Sequence, residues 1–258
     1  MKAKNANFDF VGATNRAYKT AWENRSPLLR LAVTPFLIKC GCLAAILFLG
    51  FEGQILRHGL VMLPAYFAEG FLIAYIIRTL HSGGDLSGDV RQAQNYYNDV
   101  IAAMIVFVLI QLTLAFVVGN TVSAIPEDPS QIEQPVPSAE TFMIAMLTIA
   151  FMIWAFRFAW FHIPIAMGMS LKSFMERIAP FSSSLPILGA WLLCFLPLAF
   201  IMSLLARVVL LFLPQVEGSD NTLSNLILFC MQGGFEMVIN VIAAIAMSYG
   251  FKSLMDKK

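Results

Sequence analysis

The chain has 258 residues, of which 59% are hydrophobic and 13% are charged, and its mean hydropathy is +0.74. This composition excludes an ordinary soluble globular domain and predicts a polytopic membrane protein. The formal net charge is +1, and we expect no nucleic-acid partner.

Apolar runs of about 20 residues, the length needed to cross a bilayer, recur along the chain. They predict an all-α integral membrane protein with six spans, forming a single transmembrane domain over residues 1–258. The fourth and fifth runs are long enough to be tilted, or kinked at Pro164 and Pro197. The predicted spans are 28–51, 59–80, 100–124, 141–167, 185–213 and 223–249.

The placement of lysine and arginine predicts the orientation of these spans. No signal peptide is recognised in residues 1–25, so the N-terminus is expected in the cytoplasm. With that orientation, the predicted cytoplasmic segments are rich in basic residues, whereas the outer loops hold only Arg57. We therefore expect both termini to be cytoplasmic.

A short amphipathic segment precedes each odd-numbered span. In residues 10–25 apolar side chains, among them Tyr18 and Trp22, recur at helical spacing, and basic residues take the opposite side. This pattern predicts a helix that lies in the membrane plane at the headgroups, within an N-terminal interfacial segment over residues 1–27. The segments 85–99 and 170–184 show the pattern less strongly.

Ionisable side chains inside the predicted spans are the strongest indication of function. One charge near the middle of a membrane helix costs roughly 2.5–3.5 kcal/mol, so five without partners would cost on the order of 15 kcal/mol. These groups must therefore be paired, neutralised or reached by water. They are Lys39, Glu69, Arg157, Arg207 and Glu236.

Lys39 and Glu69 are predicted to form an ion pair. Counting about 1.5 Å per residue from the outer ends of the spans places Lys39 roughly 18 Å and Glu69 roughly 15 Å deep. Their spans are joined by a short loop and should be antiparallel neighbours. An ammonium and a carboxylate at one depth satisfy each other where water is scarce.

Glu236, roughly 19 Å deep by the same count, belongs to a polar stripe of the sixth span. Gln232, Glu236 and Asn240 are spaced i, i+4 and i+8, which places them on one helical face beside two glycines. The stripe is interpreted either as a binding site or polar pathway, or as interhelical hydrogen bonding that stabilises the bundle. Glu236 needs a further cation or a proton, and either Arg157 or Arg207 would reach it only through a long side chain or a tilted helix.

The two arginines lie nearer the membrane faces, Arg207 about 9 Å and Arg157 about 24 Å below the outer surface. Arg157 stands among aromatic residues, which suits cation–π contacts or bidentate binding of a lipid phosphate. We predict lipid or anion contact for both arginines. The alternative is a side chain that extends to the headgroups only as an anchor.

Signatures of catalysis and of metal binding are not recognised. The chain has no glycine-rich phosphate loop, zinc-ligand spacing or nucleophile elbow, so we predict neither an enzyme nor a cofactor. His81 and His162 are in principle a ligand pair for a b-type haem. The favoured interpretation is that both histidines hydrogen-bond to headgroups or backbone.

The second half of the chain has a recognisable layout of residues. Arg157, Phe158 and Trp160 lead to Pro164, a serine-rich turn follows at 182–184, and the last span starts around Asn225. This layout resembles the YciC-like and glycerophosphodiester-phosphodiesterase membrane-domain families. The resemblance implies a six-helix protein of the bacterial inner (plasma) membrane with a role in envelope or lipid homeostasis. It implies no phosphodiesterase activity, because no such catalytic domain is attached.

Two functions are considered on these grounds. We favour a non-catalytic scaffold, assembly factor or lipid-binding accessory module in envelope or membrane-complex organisation. Its partners would be membrane lipids, a membrane protein complex or further copies of itself. The alternative is a small transporter or channel whose midplane charges Lys39, Glu69 and Glu236 bind a solute or protons.

Overall fold

The computed structural model describes residues 8–51, 53–83, 86, 97–123, 139–179, 183–212 and 222–255. All regular structure within these residues is helical, and six helices are long and apolar enough to cross a membrane. Over this described part of the chain, the prediction of an all-α protein with six helices of membrane-spanning length and composition is confirmed. In chain order the elements are α1 (Phe10–Glu23), α2 (Arg25–Leu49), α3 (Ile55–Ser82), α4 (Tyr97–Ser123), α5 (Ala139–Ala155), a 3₁₀ turn (Phe156–Trp160), α6 (His162–Ala166), α7 (Leu171–Ile178), α8 (Ser184–Phe212) and α9 (Thr222–Met255).

Five of the predicted spans correspond to single helices, namely α2, α3, α4, α8 and α9. The largest difference in length is in α9, which continues to Met255, beyond the predicted end at residue 249. Lys252 interrupts the apolar run, but Phe251 and Leu254 on either side of it are buried. Packing therefore extends the helix past the point where hydropathy alone ends it.

The fourth span changes helix type along its length. The candidate span Met146–Ala166 runs through the end of α5, the 3₁₀ turn and α6. A tilt or a kink at Pro164 was expected for this span, and the irregular turn lies before that proline. Proline has no amide hydrogen to donate to the carbonyl of Trp160, so the α-helical ladder is weakest in the turn before the proline. The helix α8, in contrast, continues through Pro197.

The helix α1 covers most of the predicted amphipathic segment 10–25, and α7 covers part of the segment 170–184. The segment 85–99 lies mostly outside the described residues. The side chain of Asp9 caps α1 by accepting a hydrogen bond of 2.9 Å from the amide of Gly12. These amphipathic patterns therefore coincide with helices in two of the three predicted places.

Hydrogen bonds fix α1 against α8 and α9. The hydroxyl of Tyr18 donates to the carbonyl of Cys194 over 2.9 Å, and the hydroxyls of Thr20 and Tyr249 lie 2.9 Å apart. Partial burial raises the pKa of Tyr18 to about 12, since the phenolate would be poorly hydrated there. The tyrosine accordingly stays a hydrogen-bond donor across the physiological pH range.

An aromatic cluster joins the N-terminal segment, α7 and the end of α9. The ring of Phe251 is 5.7 Å from that of Phe8 and 4.7 Å from that of Phe174, both in edge-to-face geometry. All three side chains are buried. The ring of Phe8 lies directly over Gly250, where a larger residue would leave it no space. This cluster anchors two segments that lie outside the spans to the last membrane helix.

Replacing Gly168, between α6 and α7, by alanine is expected to lower the free energy of unfolding by about 1–3 kcal/mol. Gly168 has φ +72°, and a Cβ atom there would meet the guanidinium of Arg78. Gly50 has φ +67°, but a Cβ atom there would have no neighbour within 4 Å. Gly50→Ala should therefore show only the conformational cost, about 1 kcal/mol. Denaturant titration in detergent measures both, and equal losses would contradict a role for the Arg78 contact.

Candidate functional site

Four side chains from three helices meet near the middle of the bundle. Nζ of Lys39 in α2 lies 3.0 Å from Oε2 of Glu69 in α3 and 3.0 Å from Oε2 of Glu236 in α9. Asn240, one turn after Glu236, donates from Nδ2 to Oε1 of Glu69 over 2.7 Å. The structure thus brings the predicted pair and the predicted stripe together into one charge cluster, defined as Lys39, Glu69, Glu236 and Asn240.

The members of the charge cluster differ in burial. The side chains of Lys39 and Glu69 are 3% and 2% exposed, whereas that of Glu236 is 52% exposed. Glu69 is satisfied on both oxygens by Lys39 and Asn240. The Lys39–Glu69 pair is therefore enclosed by protein, and Glu236 is the accessible carboxylate of the cluster.

Two adjacent glycines of α9 permit this arrangement. A Cβ atom on Gly233 would lie 2.9 Å from Leu43 and 3.6 Å from the aliphatic stem of Lys39, and one on Gly234 would lie 2.8 Å from the ring of Phe36. The helix α9 is continuous, so these glycines serve the close approach of α2, which carries the ammonium to Glu236.

Two cavities flank Glu236, and both are lined by Glu236 and Gln232. The lysine cavity, about 450 Å³, is also lined by Lys39, His58 and Tyr66. The aromatic cavity, about 400 Å³, is also lined by Asn240, Gln111 and His162 and by the rings of Phe107, Phe156, Trp160, Trp191, Phe195 and Phe235. Gln232 and Glu236 of the predicted polar stripe therefore border both cavities, and Asn240 borders the aromatic cavity.

The charge balance of the cluster indicates which ligands it favours. One ammonium faces two carboxylates, so the cluster has one excess negative charge when all three groups are ionised. That excess favours a cation over an anion beside the cluster. Since Glu69 is enclosed, Glu236 is the carboxylate of the cluster that a cation would reach.

The partner of Glu236 differs from the one we expected. Sequence counting assigned Lys39 to Glu69 and left Glu236 to an arginine or a proton, whereas Lys39 contacts both carboxylates. An ammonium has three donors, so one lysine can hold two carboxylates when the helices approach closely.

Arg157 and Arg207 are not members of the charge cluster. The guanidinium of Arg157 is buried and donates to the carbonyls of Ile178 and Ala179, the latter over 3.0 Å. It also lies over the rings of Trp154 and Phe158, at 4.7 and 5.3 Å. Arg157 thus binds the end of α7, as a cation suits a helix C-terminus. Arg207 is exposed on α8, and its lipid contact stays a prediction.

Several lining residues escaped the sequence interpretation. Gln111 is a polar side chain inside the apolar third span, and Tyr66 lies one turn before Glu69, so both had a detectable signal. The aromatic rings had none, because phenylalanine and tryptophan are common in membrane helices.

The two histidines considered as haem ligands pack against aromatic rings. His162 lines the aromatic cavity and packs 5.2 Å from the ring of Phe107, while His81 packs 5.9 Å from that of Tyr249.

Comparison with known proteins finds no match among protein-family models, curated proteins or solved structures. The resemblance to the YciC-like and phosphodiesterase membrane-domain families therefore stays a prediction. Function has to be argued from the charge cluster and its two cavities.

Proposed function

We propose that this chain is a small membrane transporter or channel in which Glu236 binds a proton or a cationic solute. The observation that supports it is the position of Glu236, whose carboxylate lines two cavities while its partner ammonium is enclosed. A half-exposed carboxylate contributes little to stability through its ion pair, because solvent screens the interaction, so packing alone does not explain its place beside two cavities.

The Lys39–Glu69 pair has a defined role in this proposal. When Glu236 takes up a proton or a cation, the ammonium of Lys39 retains Glu69 at 3.0 Å, so no buried charge loses its partner. Asn240 holds the second oxygen of Glu69 in place. Binding and release at Glu236 therefore avoid the large cost of an isolated charge in the membrane.

The membrane topology belongs to the same proposal. Both termini are placed in the cytoplasm and the protein in a bacterial inner membrane, supported by the basic residues of the predicted inner segments and by the stated resemblance. The helix α1 would then lie along the inner headgroups. This is supported by the exposure of Val11 and Trp22 and by the guanidinium of Arg25, 4.9 Å from the indole of Trp22.

The scaffold or lipid-binding role that the sequence favoured is ranked second here. Only the exposed apolar face of α1 supports it, and that face suits membrane contact in either function. The cavities around Glu236 have no purpose in a scaffold, so they favour the transport alternative.

Glu236→Gln is the test of this proposal. We expect proteoliposomes of the wild-type protein on a solid-supported membrane to give transient currents when the solution is jumped in pH or in an organic cation such as tetraphenylphosphonium. Glu236→Gln removes the ionisable group at constant shape and should reduce the peak current by about tenfold or more. The control is Glu176→Gln, which changes an exposed carboxylate of α7 and should leave the current unchanged.

A thermal unfolding curve in detergent accompanies each variant, so that a folded but inactive protein is recognised. The proposal is overturned if the wild-type protein gives no current above empty liposomes, or if folded Glu236→Gln gives the wild-type current. A Glu236→Gln variant with normal currents and lowered thermal stability would assign the carboxylate to packing alone.

A further inference from the structure

The aromatic cavity is walled by rings that pack against one another. The ring of Phe156 packs edge-to-face 5.5 Å from that of Trp191, which stacks 4.9 Å from Phe195, and Phe156 lies 6.0 Å from Trp160. These residues come from α8 and the 3₁₀ turn, while α4 and α9 supply Phe107 and Phe235. Aromatic faces carry negative electrostatic potential and attract cations.

The charged groups that line the cavity indicate whether it favours a cation or an anion. Among the described residues that line it, the carboxylate of Glu236 is the only formal charge, and no lysine or arginine contributes. The amides of Gln111, Gln232 and Asn240 add neutral polar atoms. Lys39, the partner of Glu236, lines the lysine cavity and does not line the aromatic cavity. An anion would therefore meet repulsion from both the carboxylate and the ring faces.

Taken together, these features select one ligand class. A hard metal cation is held by a shell of oxygen ligands that is rich in carboxylates, whereas this wall offers one carboxylate and three amides, one of which is already bonded to Glu69. A plain acyl chain carries no charge to complement the carboxylate of Glu236. From the carboxylate, the ring faces and a volume of about 400 Å³, typical of a site for a drug-sized molecule, we infer that the aromatic cavity binds a monovalent organic cation with an apolar body. This inference rests on the proposed cation site at Glu236 and names its substrate class.

Two ions of the same shape and opposite charge test the inference. Isothermal titration calorimetry on the purified full chain in detergent compares the dissociation constants of tetraphenylphosphonium and tetraphenylborate. We expect the cation to bind roughly tenfold or more tightly than the anion. Glu236→Gln should reduce that preference, because the only formal charge among the described wall residues is then lost.

Ring substitutions test whether the cation lies in the aromatic cavity. Trp191→Leu keeps an apolar side chain but removes a ring face, and should weaken tetraphenylphosphonium binding roughly three- to thirtyfold. Phe200→Leu, at an exposed position of the same helix, is the matched control and should bind as the wild type does. If Trp191→Leu does not fold, Phe195→Leu replaces it with the same expectation.

The inference is overturned if both ions bind equally, or if folded Trp191→Leu or Phe195→Leu binds the cation as tightly as the wild type. Its failure is distinguishable from failure of the proposed function. Glu236-dependent proton currents without cation binding would leave the transport proposal intact. Ring-dependent cation binding without any current would support the site and overturn transport.

Discussion

Replacing Lys39 by methionine is expected to lower the free energy of unfolding by about 3–5 kcal/mol. Methionine keeps most of the aliphatic stem that packs beside Gly233, so the loss is one of charge and not of volume. It leaves the enclosed carboxylate of Glu69 with Asn240 as a neutral partner and with Glu236 as a second negative charge nearby. Equilibrium unfolding in mixed detergent micelles, followed by tryptophan fluorescence, measures the loss.

Removing both partners should cost less than removing the lysine alone. Lys39→Met combined with Glu69→Leu takes away both enclosed charges, so we expect the double variant to recover most of the lost stability. A double variant less stable than either single one would contradict the pairing. Lys19→Met is the control for loss of a lysine, since Lys19 forms only an exposed pair with Glu23 at 3.8 Å, and it should change stability by about 0.5 kcal/mol or less.

Phe251→Ala is expected to cost about 3–5 kcal/mol for a different reason. The ring is fully buried and contacts both Phe8 and Phe174, so its removal leaves a cavity that rigid helices cannot fill. Phe200→Ala removes the same group from an exposed position on α8 and should cost much less. The same unfolding assay compares the two variants. Equal losses would show that the cluster at the end of α9 is not a packing centre.

The spans were predictable because hydropathy depends on sequence alone, whereas the charge cluster was only half predictable. Depth counting placed Lys39, Glu69 and Glu236 near one level, but depth is one coordinate of a side chain. The other, rotation about the helix axis, is set by contacts such as that of Gly234 with Phe36. The sequence therefore indicated which charges lie at the same depth, and the close approach of α2 and α9 determined which of them are in contact.

The aromatic cavity was not predictable for a related reason. Its walls come from α4, the 3₁₀ turn, α8 and α9, and each ring alone is indistinguishable from ordinary apolar packing. A kink at Pro164 was considered from the sequence, but a 3₁₀ turn over Phe156–Trp160 was not, because the proline removes only the hydrogen bond to the carbonyl of Trp160.

The length of α9 has a mechanical consequence. At about 1.5 Å per residue, its 34 residues measure about 51 Å, well beyond a hydrocarbon layer of about 30 Å. One unbroken rod therefore carries Glu236 near its centre and Phe251 near its end, where Phe8 and Phe174 hold the flanking segments. Since the helix is continuous between these points, a rigid tilt or rotation of α9 at the carboxylate would also displace Phe8 and Phe174. Movement of α9 inside the bilayer would therefore be coupled to movement of the segments packed against its C-terminal end.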